Sequence, residues 1–423
     1  MPKIPELPGT PVPYEQQSWL QSQVSALCEV GGNRFPGAQP VSFSKKDLER
    51  LENQDFWICE KSDGLRVLLF VHTNLQTKEQ AVYLIDRHNT YRLVEGLFFP
   101  HHENPMNPLR NTIVDGELVV DTDPRTNADT VRYLVFDCLV VDHQNVMKRP
   151  LDKRYGRLNE WFYKPYARMM RDHPHMMQSQ PFEIKIKPIQ AAYNAEQVFN
   201  NEIPNLQHGN DGLIYTCVNT HYSPGTDPNI LKWKPPSENS IDFKLLLRFP
   251  PSPTDPIKPD FHAKPVFLLQ VWCGDQGGIS KYEQFDDMYV TDDEWESIKR
   301  SGEQYDDRIV EVCWDSNIER WRMMRFRDDK PNGNHKSIVL KIIESIADGV
   351  EKDTLLSRCN TVRVAWKARV GQQAATQDVH NARTAPNKPR TDPIPQAEIR
   401  FGPLATPPWS KVSGPPTVMG FIR

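Results

Sequence analysis

Cysteine is sparse in this sequence. Seven are scattered through 423 residues with no C-x-x-C pair, which argues against structural zinc and a disulfide framework and for a reducing compartment. Long apolar runs are missing too. No stretch approaches the ~18 residues that cross a bilayer. The N-terminal Met-Pro-Lys-Ile-Pro-Glu-Leu-Pro has no apolar signal core, so a protein that is neither secreted nor membrane-bound is expected. Two phosphate-binding signatures are absent. No G-x-x-x-x-G-K-[ST] loop occurs, and no G-x-G-x-x-G follows a strand-like run. Any nucleotide would be gripped by side chains, not by a glycine-rich loop. A strong overall charge is also lacking, since the net value is −4. That value hides an asymmetry: residues 366–423 carry eight Lys and Arg against three Asp and Glu. A basic tail on an acidic body suggests either a polyanionic partner or an idle solvated segment.

The length leaves room for two domains plus tails. Residues 1–40 are rich in Pro and Gln and read as an extended lead-in with one short amphipathic helix (Trp19, Leu20, Val24, Leu27). Residues 41–240 form a first domain. In it Ser44 caps a helix with Leu48 and Leu51 on its apolar face. Short β-rich segments follow, including Val82–Asp86, Ile113–Val120, Tyr133–Val141 and Asp211–Tyr215. From Lys153 to Arg171 apolar and aromatic residues recur at helical spacing, the mark of core packing. Residues 241–365 change texture and read as a small β-rich domain. Its predicted strands are Phe243–Arg248, Val266–Trp272, Arg308–Asp315 and Trp321–Phe326. A Thr291–Glu294 capping box opens a helix, and Ile338–Ile346 is a second, strongly amphipathic one. Residues 366–423, rich in Pro, Ala and Thr and without periodicity, are expected to be disordered.

The chemistry gathers around C-E-K-S-D-G-L-R at Cys59–Arg66, flanked by Phe56-Trp57-Ile58 and by Val67–Val71. Lys61 is expected at a bend between buried segments, with Asp63-Gly64 as the turn. A lysine attacks only as the free amine, which burial and neighbouring cations such as Arg66 favour. Alone, K-x-D-G is a weak signal that more often marks a surface lysine beside a glycine turn. Further along stand Arg87, then Glu117 and Asp211, each in or beside a D-G pair. Lys232 and Lys234 alternate, so a strand would project both from one face. Arg325, Arg327 and Lys330 close the second domain. Such a set suits a nucleoside triphosphate with a divalent metal: cations meet phosphate oxygens, and carboxylates hold Mg²⁺ or Mn²⁺.

The ordered set K-S-D-G, I-D-R-H-N-T-Y, D-G-E-L, F-D-C-L, D-G-L-I, L-K-W-K and R-F-R-D-D-K resembles the covalent nucleotidyltransferase superfamily. Within it, E-K-S-D-G-L-R, L-K-W-K-P with S-I-D-F-K-L, and R-M-M-R-F-R-D-D-K resemble the eukaryotic mRNA capping guanylyltransferases over roughly residues 40–350. The resemblance implies an α+β architecture: a ligase-like nucleotidyltransferase domain of antiparallel sheets flanked by helices, then a C-terminal OB-fold. It implies that Lys61 attacks the α-phosphate of GTP and that Arg66 and Arg87 contact its sugar or phosphates. Phe136 and Ile214 would sandwich the guanine, and Lys187 would read its O6. Glu117 would sit near the ribose or the metal, with Asp211 as second metal ligand. Lys232 and Lys234 would hold the α-phosphate. Asp242, Arg325, Asp329 and Lys330 would complete the nucleotide site from the second domain, the last three over the pyrophosphate.

The acceptor implied is the 5′-diphosphate end of RNA. No H-C-x-x-x-x-x-R phosphatase signature occurs, so a separate RNA 5′-triphosphatase subunit is expected. The phosphorylated C-terminal domain of RNA polymerase II is a further implied partner, and the nucleus the implied compartment. Two other readings stand beside this one: an ATP-dependent polynucleotide ligase using the same lysine chemistry, and an inactive adaptor that binds the polymerase tail.

Overall fold

The computed structural model describes the backbone of residues 3–384, and side chains from residue 3 to 372 apart from Ser237. Six strands carry most of the expected site residues of the first domain: β1 (Phe56–Ser62), β2 (Leu65–Thr73), β3 (Thr112–Thr122), β4 (Asp129–Val141), β5 (Asn210–Cys217) and β6 (Gly225–Trp233). They belong to two sheets. The larger runs Thr10–Pro11, Tyr91–Val94, Gln80–Ile85, β2, β3, β4, Glu183–Ile186. The smaller runs Gln190–Ala191, β1, β5, β6, Ala38–Ser42. Both are antiparallel except for one parallel edge pair each.

β2 shows why the larger sheet is covered on both faces. Its Val67–Val71 run is fully buried, because alternate side chains enter two different cores. Val67, Leu69 and Val71 meet Leu158, Phe162, Tyr166 and Met170. These come from a continuous helical segment, 151–172, with a π turn at Leu158–Tyr163. Leu68 and Phe70 instead meet Leu20, Val24 and Cys28 of the helix Tyr14–Cys28. The first forty residues are therefore part of the domain core and of both sheets, where the sequence read as a lead-in. The Lys45–Asn53 helix starts at the expected Ser44, with Asp47 closing a capping box.

The second domain is a closed five-stranded barrel, the OB-fold arrangement. Its strands are β7 (Ser240–Arg248), β8 (Val266–Gln276), β9 (Ile279–Met288), β10 (Arg308–Asp315) and β11 (Arg320–Phe326), in the order β7-β8-β9-β11-β10. Sequence reading missed β9. Half of that strand is exposed and only Met288 in it is buried, so I-S-K-Y-E-Q-F-D-D-M carries little apolar alternation, and Gly277-Gly278 at positive φ turns the chain into it. Phe243, Leu245, Leu269 and Val312 fill the barrel, and Val339 of the helix Lys336–Ala347 packs on that core. The Thr291–Glu294 capping box forms as expected.

After the barrel the chain returns to the first domain. Val350, Leu355 and Val362 are buried among Phe43, Leu48, Leu51 and Trp233. The Trp233 indole N–H donates to the Val350 carbonyl at 2.8 Å. Residues 350–362 thus belong by packing to the first domain, not to the second as their position suggested. The helix that begins at Cys359 continues to Thr384, past the point where order was expected to end. The rest of the basic tail lies outside the described residues. Among the described residues no helix is long and apolar enough to cross a membrane.

Candidate active site

β1 lies in the smaller sheet and β2 in the larger, so Asp63-Gly64 carries the chain across the cleft between them. Lys61 is a strand residue next to the end of β1, not part of a bend. Gly64 is required for space: a Cβ there would lie 2.4 Å from the Leu118 carbonyl oxygen. Asp115-Gly116 and Asp211-Gly212 sit inside strands, at register shifts between Asp115 and Gly116 and between Asn210 and Leu213. A Cβ on Gly116 would meet the Tyr133 ring at 2.6 Å; one on Gly212, whose φ is +144°, would meet the Trp233 carbonyl oxygen at 2.0 Å. These D-G pairs are bulges that let backbones approach.

A pocket opens between the sheets. Lys61, Arg66, Glu117, Phe136, Lys187 and Ile214 all line it, which unites six of the expected site residues from distant parts of the chain. Asp211 accepts a hydrogen bond from the Lys61 ammonium, and Lys234 Nζ stands 3.8 Å from its other oxygen. Across the cleft the Arg66 guanidinium forks the Asp115 carboxylate at 3.0 and 2.6 Å and lies 5.8 Å from the Phe136 ring centroid. Tyr222 donates its hydroxyl to Asp115 at 2.6 Å. Asp115 and Tyr222 were not foreseen. Asp115 shares the D-G-E-L motif with Glu117, so its signal was present; Tyr222 lies in a loop with none.

Behind Lys61 the pocket wall is charged. Glu60 Oε1 accepts from Lys187 Nζ at 2.8 Å and from Ser62 at 2.7 Å, and Lys187 also donates to Ser62 Oγ at 2.7 Å. Burial opposes both charges. Lys187 and hydrogen bonds from His208 and Ser62 nonetheless hold the Glu60 carboxyl well below the usual range. The Glu60 charge in turn raises Lys187 above an ordinary lysine. Glu117 behaves oppositely: burial pushes its carboxyl up against the pull of Lys187. Burial also pushes the Cys59 thiol up to about 11.

Other expected site residues lie elsewhere. Arg87 is exposed in the turn after Gln80–Ile85, and Lys232 is exposed on β6; neither lines the pocket. In the barrel, Asp242 is buried and accepts from Arg327 at 3.1 Å and Lys330 at 2.5 Å. It therefore anchors the R-F-R-D-D-K segment rather than lining the pocket. Arg325 donates to Glu311 at 2.5 Å, and Asp329 pairs with Arg327 at 2.9 Å.

A lysine in contact with a carboxylate, in a cleft between two sheets lined by cations and followed by an OB barrel, defines a covalent nucleotidyltransferase. Comparison with known proteins makes this narrower. The family model described as mRNA capping enzyme, catalytic domain, matches residues 4–236, and that described as mRNA capping enzyme, C-terminal domain, matches residues 238–356. The mRNA-capping enzyme subunit alpha of Neurospora crassa is 41% identical over 377 residues, covering 86% of this chain and 93% of that protein. The Schizosaccharomyces pombe subunit alpha is 40% identical over 368 residues, covering 86% and 89%. The mRNA-capping enzyme of Danio rerio is 30% identical over 349 residues, covering 81% of this chain and 53% of that protein. The chain belongs to the mRNA capping enzyme family, and its activity is that of an mRNA guanylyltransferase, a nucleotidyltransferase.

Proposed function

We propose that the nucleotide is GTP, that Lys61 carries the GMP as a covalent intermediate, and that the acceptor is the 5′-diphosphate end of RNA. The observation that carries this reading is Lys61 in contact with Asp211 beside a pocket that also holds Arg66 and Lys187. In the first step Lys61 Nζ gives up a proton and bonds to the α-phosphorus, while the bond to the pyrophosphate oxygen breaks. In the second, a β-phosphate oxygen of the RNA end bonds to that phosphorus, the P–N bond breaks, and the amine regains its proton. The cap GpppN results.

In this reading Phe136 and Ile214 hold the base from opposite sheets, and Lys187 faces guanine O6. Arg66, held by Asp115, meets the sugar or phosphates, a role Arg87 would share, with Lys232 and Lys234 on the α-phosphate. Glu117 and Asp211 offer the hard oxygen donors that Mg²⁺ or Mn²⁺ prefers, and such an ion would screen phosphate charge. Arg325, Asp329 and Lys330 of the barrel act on the pyrophosphate, and Asp242 keeps Lys330 in place. The fungal relatives are named as a subunit, which supports a complex with a separate RNA 5′-triphosphatase. The phosphorylated polymerase II C-terminal domain and the nucleus complete the proposal.

Incubation with nucleotide labelled at the α-phosphate, with Mg²⁺, tests it. An acid-labile GMP adduct that is lost in Lys61→Ala is expected. Labelling by ATP instead of GTP would assign the protein to the ligases. No labelling of folded protein by either would leave the adaptor reading.

A further inference from the structure

We propose that Glu60, which does not line the pocket, sets the nucleobase selectivity of the site by fixing the Lys187 ammonium from behind. The inference rests on the proposed function, in which Lys187 faces guanine O6. β1 alternates its side chains, so Lys61 and Glu60 leave opposite faces; Glu60 is 5% exposed. Its Oε1 takes Lys187 at 2.8 Å and Ser62 at 2.7 Å, with His208 Nε2 at 3.4 Å. Its Oε2 takes the Asn210 amide at 3.4 Å. His208 in turn meets Asp121 of β3 at 2.6 Å. The carboxylate is thus tied into both sheets and cannot follow Lys187 if the lysine turns.

Two of the three ammonium donors of Lys187 are engaged by Glu60 and Ser62. The third is left for the pocket that Lys187 lines. A fixed N–H donates to an oxo group at the purine 6-position. It opposes a 6-amino group, which presents hydrogens of its own. A free amine could rotate and accept from that amino group, so discrimination needs a lasting ammonium. A fully buried lysine tends to lose its proton, and the Glu60 charge prevents this. Glu60 is a positioning residue in this scheme: it acts through Lys187 and touches no substrate.

The test measures apparent KM for adduct formation with GTP, inosine triphosphate, 2-aminopurine riboside triphosphate and ATP. Glu60→Gln should raise KM about tenfold or more for the two nucleotides that carry O6. It should change KM less than twofold for 2-aminopurine riboside triphosphate, which lacks that oxygen, and should narrow the preference for GTP over ATP. Glu60→Asp, which keeps the charge but withdraws it, should show the same pattern and serves if the first variant does not fold. In a Lys187→Met background, Glu60→Gln should add less than a twofold change. That pair also avoids an unpaired buried charge. An equal rise in KM for all four nucleotides would overturn the inference. So would loss of O6 preference in Lys187→Met but not in the Glu60 variants. If Lys187→Met itself leaves that preference intact, the assignment of Lys187 to the base is what fails.

Discussion

The Arg66–Asp115 pair yields a prediction whose sign is not obvious. Asp115 is fully buried, whereas Arg66 keeps about a quarter of its side chain exposed at the pocket (relative exposures 0% and 26%). Breaking a buried ion pair costs about 3–5 kcal/mol, mostly because the surviving charge is stranded. Arg66→Met strands Asp115 with only the Tyr222 hydroxyl, so it should lie in that range. Asp115→Leu strands a guanidinium that water still reaches, so solvent screening reduces its cost to about 2–3 kcal/mol. With about 2–4 °C per kcal/mol for a domain of this size, that is a fall in Tm of about 4–12 °C for Asp115→Leu and more for Arg66→Met. The double variant removes both charges and should recover most of the loss. Differential scanning calorimetry of the four proteins decides it. The reasoning is refuted if Asp115→Leu is the more damaging single change, or if the double variant loses the sum of the two.

Three further outcomes are expected from the geometry. Gly212→Ala must force β5 and β6 apart and move Asp211 off Lys61, so GMP-adduct formation at saturating GTP should fall by a factor of ten or more. Its barrel should melt unchanged. Leu355→Ala should cost about 2–5 kcal/mol in the first-domain transition, not in the barrel that precedes Leu355 in sequence, as followed by fluorescence of tryptophans in each domain. Glu60 has a depressed folded pKa, so its contribution is full above the unfolded value of 4.5 and is lost as pH falls below it. In urea titrations the stability gap between wild type and Glu60→Gln should be widest near neutrality and shrink below that pH. A gap that widens in acid would contradict the assignment.

Much of this was legible because local pattern and global burial agree. The unbroken Val67–Val71 run was read as a buried segment, and it is one, a strand covered on both faces; both helices expected to start at Ser44 and Thr291 carry their reciprocal caps. The D-G motifs marked the right places for a different reason than turn propensity: each glycine clears a backbone or a ring. What remained hidden depends on distant pairing. Tyr222 reaches Asp115 across 107 positions, and no local preference encodes that. Asp242 was expected in the nucleotide site because the resemblance implies a polar residue there after L-K-W-K. Only the barrel closure reveals that Arg327 and Lys330 consume its charge. The Cys359–Thr384 sequence carries no helical apolar periodicity, and in the first turns of the helix Val362 is buried in the first-domain core.

The return of the chain to the first domain has a consequence for biosynthesis. Trp233 leaves the ribosome long before Val350, Leu355 and Val362, which cover it and its neighbours. At about 5–20 residues per second, translation of residues 234–362 takes about 6–26 s. Within that time the barrel strands are completed at Phe326 and become free to close, while the domain made first still presents an uncovered apolar surface. The N-terminal domain is therefore the last to finish, the reverse of the usual vectorial order. A polypeptide ending near residue 240 would remain indefinitely at that half-covered stage, dependent on chaperones and prone to association.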